Sequence, residues 1–107
     1  MKDIEQIQKL SILHCVYQLI ASADGGIDEK RDNNVIDLAL SELGLTSVYS
    51  WDSALKLNPH DCFLHVSLLN DDNKNMCRAL LLRIANMAGN TTSRIICANH
   101  LFQFCSI

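Results

Sequence analysis

Apolar positions recur along this chain at close to 3.6 residues, and no alternation of two is sustained anywhere. Ile4, Ile7, Leu10, Leu13, Val16, Tyr17 and Ile20 draw one stripe along a predicted helix from about Asp3 to Ser22. Asp24-Gly25-Gly26 breaks it, since two glycines in succession favour a turn over a helix interior. Asp28 then reads as an N-cap, with Glu29 beside the positive end of the next helix dipole. Val35, Leu38, Ala39, Glu42 and Leu43 keep the helical period up to Gly44, which stands where a left-handed cap residue is wanted. A shorter helix is expected from about Ser47 to Lys56.

Asn58-Pro59-His60-Asp61 is the strongest helix start in the chain: a capping side chain, proline at the first helical position, and an acid two residues on. That helix carries Phe63, Val66 and Leu69. Asn70-Asp71-Asp72 supplies the next start. Met76 to Met87 is then apolar on nearly every face, the pattern of a helix at the buried centre of a bundle. Ala88-Gly89-Asn90 ends it, and a last helix from about Thr92 carries Ile95, Ile96, Leu101, Phe102 and Cys105. The pattern predicts an all-α fold: a compact bundle of about six helices with short turns.

Composition fits a single domain over residues 1–107, large enough to bury one real core. The residues are 49% hydrophobic and 20% charged, with one proline and four glycines, which separates the chain from disordered sequences. A formal charge of -3, with lysines and arginines scattered and no aromatic interleaving, argues against nucleic acid as a partner. No apolar stretch approaches the roughly 20 residues of a membrane span. Met1-Lys2-Asp3-Ile4-Glu5 lacks the apolar core of a signal peptide, so the cytoplasm is the expected location. Five cysteines, Cys15, Cys62, Cys77, Cys97 and Cys105, are spread evenly with no C-x-x-C pair, and most sit among apolar residues. That is the usage of buried free thiols in a reducing compartment. There the triplet Asn90-Thr91-Thr92 is a chance match to a glycosylation site.

A weak internal echo runs through the chain. Ile20-Ala21-Ser22-Ala23-Asp24-Gly25 is answered by Ile84-Ala85-Asn86-Met87-Ala88-Gly89, each closing an apolar helix, opening a glycine turn and feeding another amphipathic helix. The echo suggests two similar helix-turn-helix halves. Leu19-Ile20-Ala21-Ser22-Ala23-Asp24-Gly25-Gly26-Ile27-Asp28, followed by a helix ending Leu43-Gly44-Leu45, resembles the tellurite-resistance TerB-like family, which includes the N-terminal region of DjlA-type co-chaperones. About ten residues carry the resemblance specifically. It implies an all-helical fold of two related halves, with acidic residues grouped near the two glycine turns and an ion-binding role discussed for some members. Where the family pattern has a glutamate after Ile27, this chain has Arg31. In the second copy Ala88 replaces the aspartate and Ile95 the glutamate.

Candidate chemistry is correspondingly sparse. Asp24, Asp28, Glu29 and Asp32 could gather a weakly held hydrated divalent cation, or Asp28 could simply cap a helix after a glycine turn. In a calcium-loop register the first ligand falls on Ile20 and the closing one on Arg31, neither of which binds calcium. His60, Cys62 and His65, and Cys97 with His100, are competent zinc ligands without a recognised zinc spacing. His14-Cys15 are adjacent on a helix and point apart. No nucleophile elbow, phosphate loop or dinucleotide fingerprint is present, so the chain is read as non-enzymatic with no cofactor. Tyr49 and Trp51 are either core residues or, if exposed, an anchor for a partner protein. The expectation is therefore a non-catalytic interaction or adaptor domain, in a stress response if the resemblance carries over. A divalent-cation binder is the alternative.

Overall fold

A computed structural model of the chain describes residues 3–22, 29–46, 49–87 and 91–107, and among these it is all-helical. The helices are α1 (Gln6–Ala21), α2 (Glu29–Glu42), α3 (Tyr49–Leu55), α4 (Pro59–Ser67), α5 (Asp71–Ala85) and α6 (Thr91–Cys105). None is long and apolar enough to cross a membrane.

Helix α1 begins later than its apolar stripe suggests. Asp3 takes a left-handed φ of 59°, and Gln8 Oε1 accepts from the Glu5 N–H at 3.0 Å, fixing the start at Gln6. Asn58 caps α4 as expected, its side-chain oxygen accepting from the His60 and Asp61 N–H groups at 2.9 and 3.4 Å. Asn70 does the same for α5, accepting from the Asn73 N–H at 2.8 Å. Gly44 closes α2 at φ 66°, with Gly44 N–H bonded to the Ser41 carbonyl and Leu45 N–H to the Leu40 carbonyl. The same motif ends α6, where Ser106 holds φ 56° and the Ile107 N–H reaches the Phe102 carbonyl at 2.9 Å. The Asp24-Gly25-Gly26 turn, the Asp28 cap and the Ala88-Gly89-Asn90 turn lie outside the described residues.

The central helix is α1, and not α5 as the apolar run Met76–Met87 suggests. Ser11 to Val16 are buried without a break, and α1 packs on every other helix. Helix α5 buries Cys77, Leu80, Leu81, Ile84 and Ala85 but turns Met76 and Ala79 to solvent, and Met87 just beyond its end is exposed as well. Its alanine and methionines suit either environment, which is why its composition overstates its burial. Residues from all six helices meet in one core, including Leu13, Val16 and Leu19 of α1, Ala39 of α2, Ala54 of α3, Val66 of α4, Leu81 of α5 and Leu101 of α6.

Enclosing α1 buries polar groups, and each finds a partner. Ser11 Oγ donates back to the Ile7 carbonyl at 2.7 Å. His14 Nδ1 donates to the Ala54 carbonyl at 2.8 Å, which makes its Nε2 the acceptor from the Gln18 amide at 3.2 Å. Since Ala54 lies in the last turn of α3, this bond ties the short third helix to the central one. His14→Ala removes it and opens a cavity, and should cost about 2–4 kcal/mol in denaturant unfolding. The two left-handed caps make an opposed pair. Gly44→Ala meets only Lys9 Nζ, at 4.0 Å from the new Cβ, and carries the backbone penalty alone, about 1–2 kcal/mol. Ser106→Gly relieves the same strain and should stabilise by up to about 1 kcal/mol in the same assay.

Candidate functional site

The acidic cluster begins where α2 begins. Asp24 and Asp28 lie outside the described residues, and Glu29 opens the helix. Asp32, one turn in, is fully buried, with its carboxylate 3.7 Å from Nη2 of Arg94. Arg94 is also buried, and its Nε and Nη1 have no hydrogen-bond partner. Each residue is the fourth of its helix, so the ion pair joins the first turn of α2 to the first turn of α6. The α2 dipole favours Asp32 where it stands, whereas a cation in the first turn of α6 is disfavoured and needs the carboxylate opposite. Asp32 thus faces a side-chain cation from within the protein. Arg94 was not singled out from sequence. The available signal was its solitude: α6 has no Asp, Glu or Lys, and no other Arg.

The candidate zinc ligands are not brought together. Cys62 is buried, while His60 on the same helix is exposed against the Phe63 ring. Cys97 donates to the Gln18 carbonyl at 3.7 Å, and His100 stands on the outer face of α6. Among the described residues no three His, Cys, Asp or Glu side chains form a group that could hold a metal ion. His14 and Cys15 diverge as their adjacency predicts, His14 toward α3 and Cys15 into the core.

Tyr49 and Trp51 separate. Trp51 packs against the core and meets the Tyr17 ring edge-on at 6.3 Å, whereas Tyr49 is 75% exposed. A second aromatic group, not anticipated from sequence, lies where α4 meets α6. Phe63 and Phe104 stack at 5.3 Å with planes 17° apart, and Phe104 remains 61% exposed. His60 sits edge-on to Phe63 and His100 to Phe104. Ile96, His100 and Phe104 follow one another at intervals of four, so they share the outer face of α6. That face has no formal charge, because Arg94 is turned inward.

Two shallow clefts are formed by described residues. One lies between α2 and α5, lined by Glu42, Met76, Ala79, Leu80 and Arg83, with Glu42 and Arg83 paired across it at 2.5 Å. The other is lined by Arg78, Asn99, Phe102, Gln103 and Ile107. Neither brings a nucleophile to a base. Compared with protein-family models, with curated proteins and with solved structures, the chain matches none.

The ion pair can be tested through stability. Asp32→Ala strips a buried guanidinium of its carboxylate and should cost about 3–5 kcal/mol. The double substitution Asp32→Leu with Arg94→Met replaces the pair by packing and should recover most of that loss. Urea unfolding of the three proteins measures both, and equal losses in the single and double variants would show that the pair is not coupled.

Proposed function

We propose that this chain is a non-catalytic protein-interaction domain whose contact surface is the outer face of α6 together with the adjoining edge of α4. The observation that carries this reading is the exposed Phe63–Phe104 stack on a helix face without charge. Interface centres are depleted in charged residues and enriched in aromatics, and the outer face of α6 offers a partner aromatic area with no Asp, Glu, Lys or Arg on it. Tyr49, exposed on α3, is a second aromatic available to a partner. An adaptor role in a stress response comes with the TerB-like resemblance of residues 19–28 and rests on that stretch alone.

The test is a pull-down from the source organism's lysate, with and without EDTA, using wild type, Phe104→Asp and Tyr49→Ala. The expected result is a protein retained by wild type in both buffers and lost with Phe104→Asp, while the melting temperature of that variant changes little. Retention by Phe104→Asp would remove α6 from the contact surface, and capture that depends on Tyr49 would move it to α3. A partner released by EDTA would instead support a divalent cation at the acidic turn.

A further inference from the structure

Four of the seven large apolar side chains exposed among the described residues stand on α4, its closing cap and α6: Leu64, Leu68, Ile96 and Phe104. His60, Leu64 and Leu68 follow one another at intervals of four, as Ile96, His100 and Phe104 do on α6, so each helix presents one such row to solvent. The two helices pack together, and the Phe63–Phe104 stack closes the seam between the rows. None of these six residues is Asp, Glu, Lys or Arg. Asp61, the one Asp, Glu, Lys or Arg of α4, is two residues from Phe63 and so stands about 200° around the helix from that seam. Met76 and Tyr49, by contrast, have charged company: Met76 lies beside the Glu42–Arg83 pair, and Tyr49 is three residues from Asp52 on the same helix.

On the interaction reading of the α4–α6 face, we propose that its occupant is a second copy of the chain, docked through the same face in a two-fold symmetric dimer. Charge selects this occupant. In a two-fold contact the same patch meets itself, so a charge near the axis faces its own copy at close range. Two chains of net charge -3 also repel over most approaches. A patch without Asp, Glu, Lys or Arg meets itself under both constraints. The same lack of charge gives no handle to an unlike partner, since complementary charge is what ordinarily steers unlike chains together and rejects wrong ones. The face offers apolar and aromatic area, and its copy offers the same in matching amount.

Size sets the strength. Six side chains are few beside the roughly 20–30 residues per partner of a standard interface. The chain also has a core of its own, built from all six helices. The dimer therefore exchanges with folded monomer, with a dissociation constant on the order of 10–100 μM.

The test is sedimentation velocity of the full chain from about 5 to about 500 μM, which brackets that range. Reductant is present, so that the five cysteines form no intermolecular disulfide. Wild type is expected to pass from monomer to dimer and no further. Phe104→Asp and Ile96→Asp should each raise the dissociation constant by more than about tenfold, and Met76→Asp should leave it unchanged. Should Phe104→Asp fail to fold by circular dichroism, Ile96→Asp, on the same row and outside the aromatic stack, carries the same test. Wild type that stays monomeric throughout overturns the dimer. If capture of another protein still depends on Phe104 in that case, the interaction reading stands without it. A dimer unmoved by both α6 substitutions takes the contact, and the interaction reading with it, off this face. Equal weakening by Met76→Asp, or growth beyond the dimer, also overturns the proposal, the latter because it marks an open contact and not a two-fold one.

Discussion

Helix α1 is surrounded, and most of the architecture follows from what a surrounded helix demands. Six consecutive residues, Ser11 to Val16, are buried, so the usual division into a wet face and a dry face is lost over that stretch. Every other helix must supply part of the wall. Polar side chains inside the wall must be satisfied without water, because an unpaired buried donor costs about 1–3 kcal/mol. Ser11 meets this demand locally through the Ile7 carbonyl. His14 meets it at a distance, through a carbonyl of α3 and an amide one turn along its own helix. The short α3 has one fully enclosed side chain, Ala54, and is tied to α1 by this bond, the Trp51–Tyr17 edge and its packing along α1.

The Asp32–Arg94 pair obeys a different logic. Two opposite charges at 3.7 Å are beyond direct hydrogen-bond distance, and Nε and Nη1 of the guanidinium are unpartnered. Desolvation on this scale is rarely repaid in full, so the pair is weak as a source of stability. Its effect is positional. The arginine in the first turn of α6 meets the Asp32 carboxylate in the first turn of α2, and a docking of α6 that separated them would leave two buried charges without this partner. The pair thereby fixes how the start of α6 sits against the start of α2.

Helix existence and type were legible because caps and periods are local. Asn58-Pro59, Asn70 and Gly44 act within a few residues of where they stand, and the structure places each as read. The order of burial was not legible, because apolar content alone cannot say which of two apolar helices the others enclose. Helix α5 looked central for its methionines and alanine, which tolerate solvent, while α1 hid its centrality behind Ser11 and His14. At the acidic turn, Asp32 was read with its neighbours as a group. Yet it stands on the stripe Asp32, Val35, Ile36, Ala39, Leu43, and a carboxylate in register with a buried face implies a buried partner. Arg94 heads the corresponding stripe of α6 with Ala98, Leu101, Phe102 and Cys105. Two charges at the heads of two apolar stripes were the readable sign. Their pairing depended on tertiary docking.

Helix α6 shows why these features belong together. Its inner face turns its one full charge to Asp32 and packs Ala98, Leu101, Phe102 and Cys105 into the core. Its outer face is consequently left with Ile96, His100, Phe104 and small polar residues. On a chain of net charge -3, a solvent-facing helix face without formal charge is poorly placed to discourage association, since surface charge is the ordinary guard against it. Charge kept inside for docking is charge absent from the surface. The same residue pattern that aligns α6 against α1 and α2 therefore leaves an uncharged outer side, on which the Phe104 ring is held by its stack on Phe63; under the proposed interaction role, a ring so fixed would lower the ordering cost of contact.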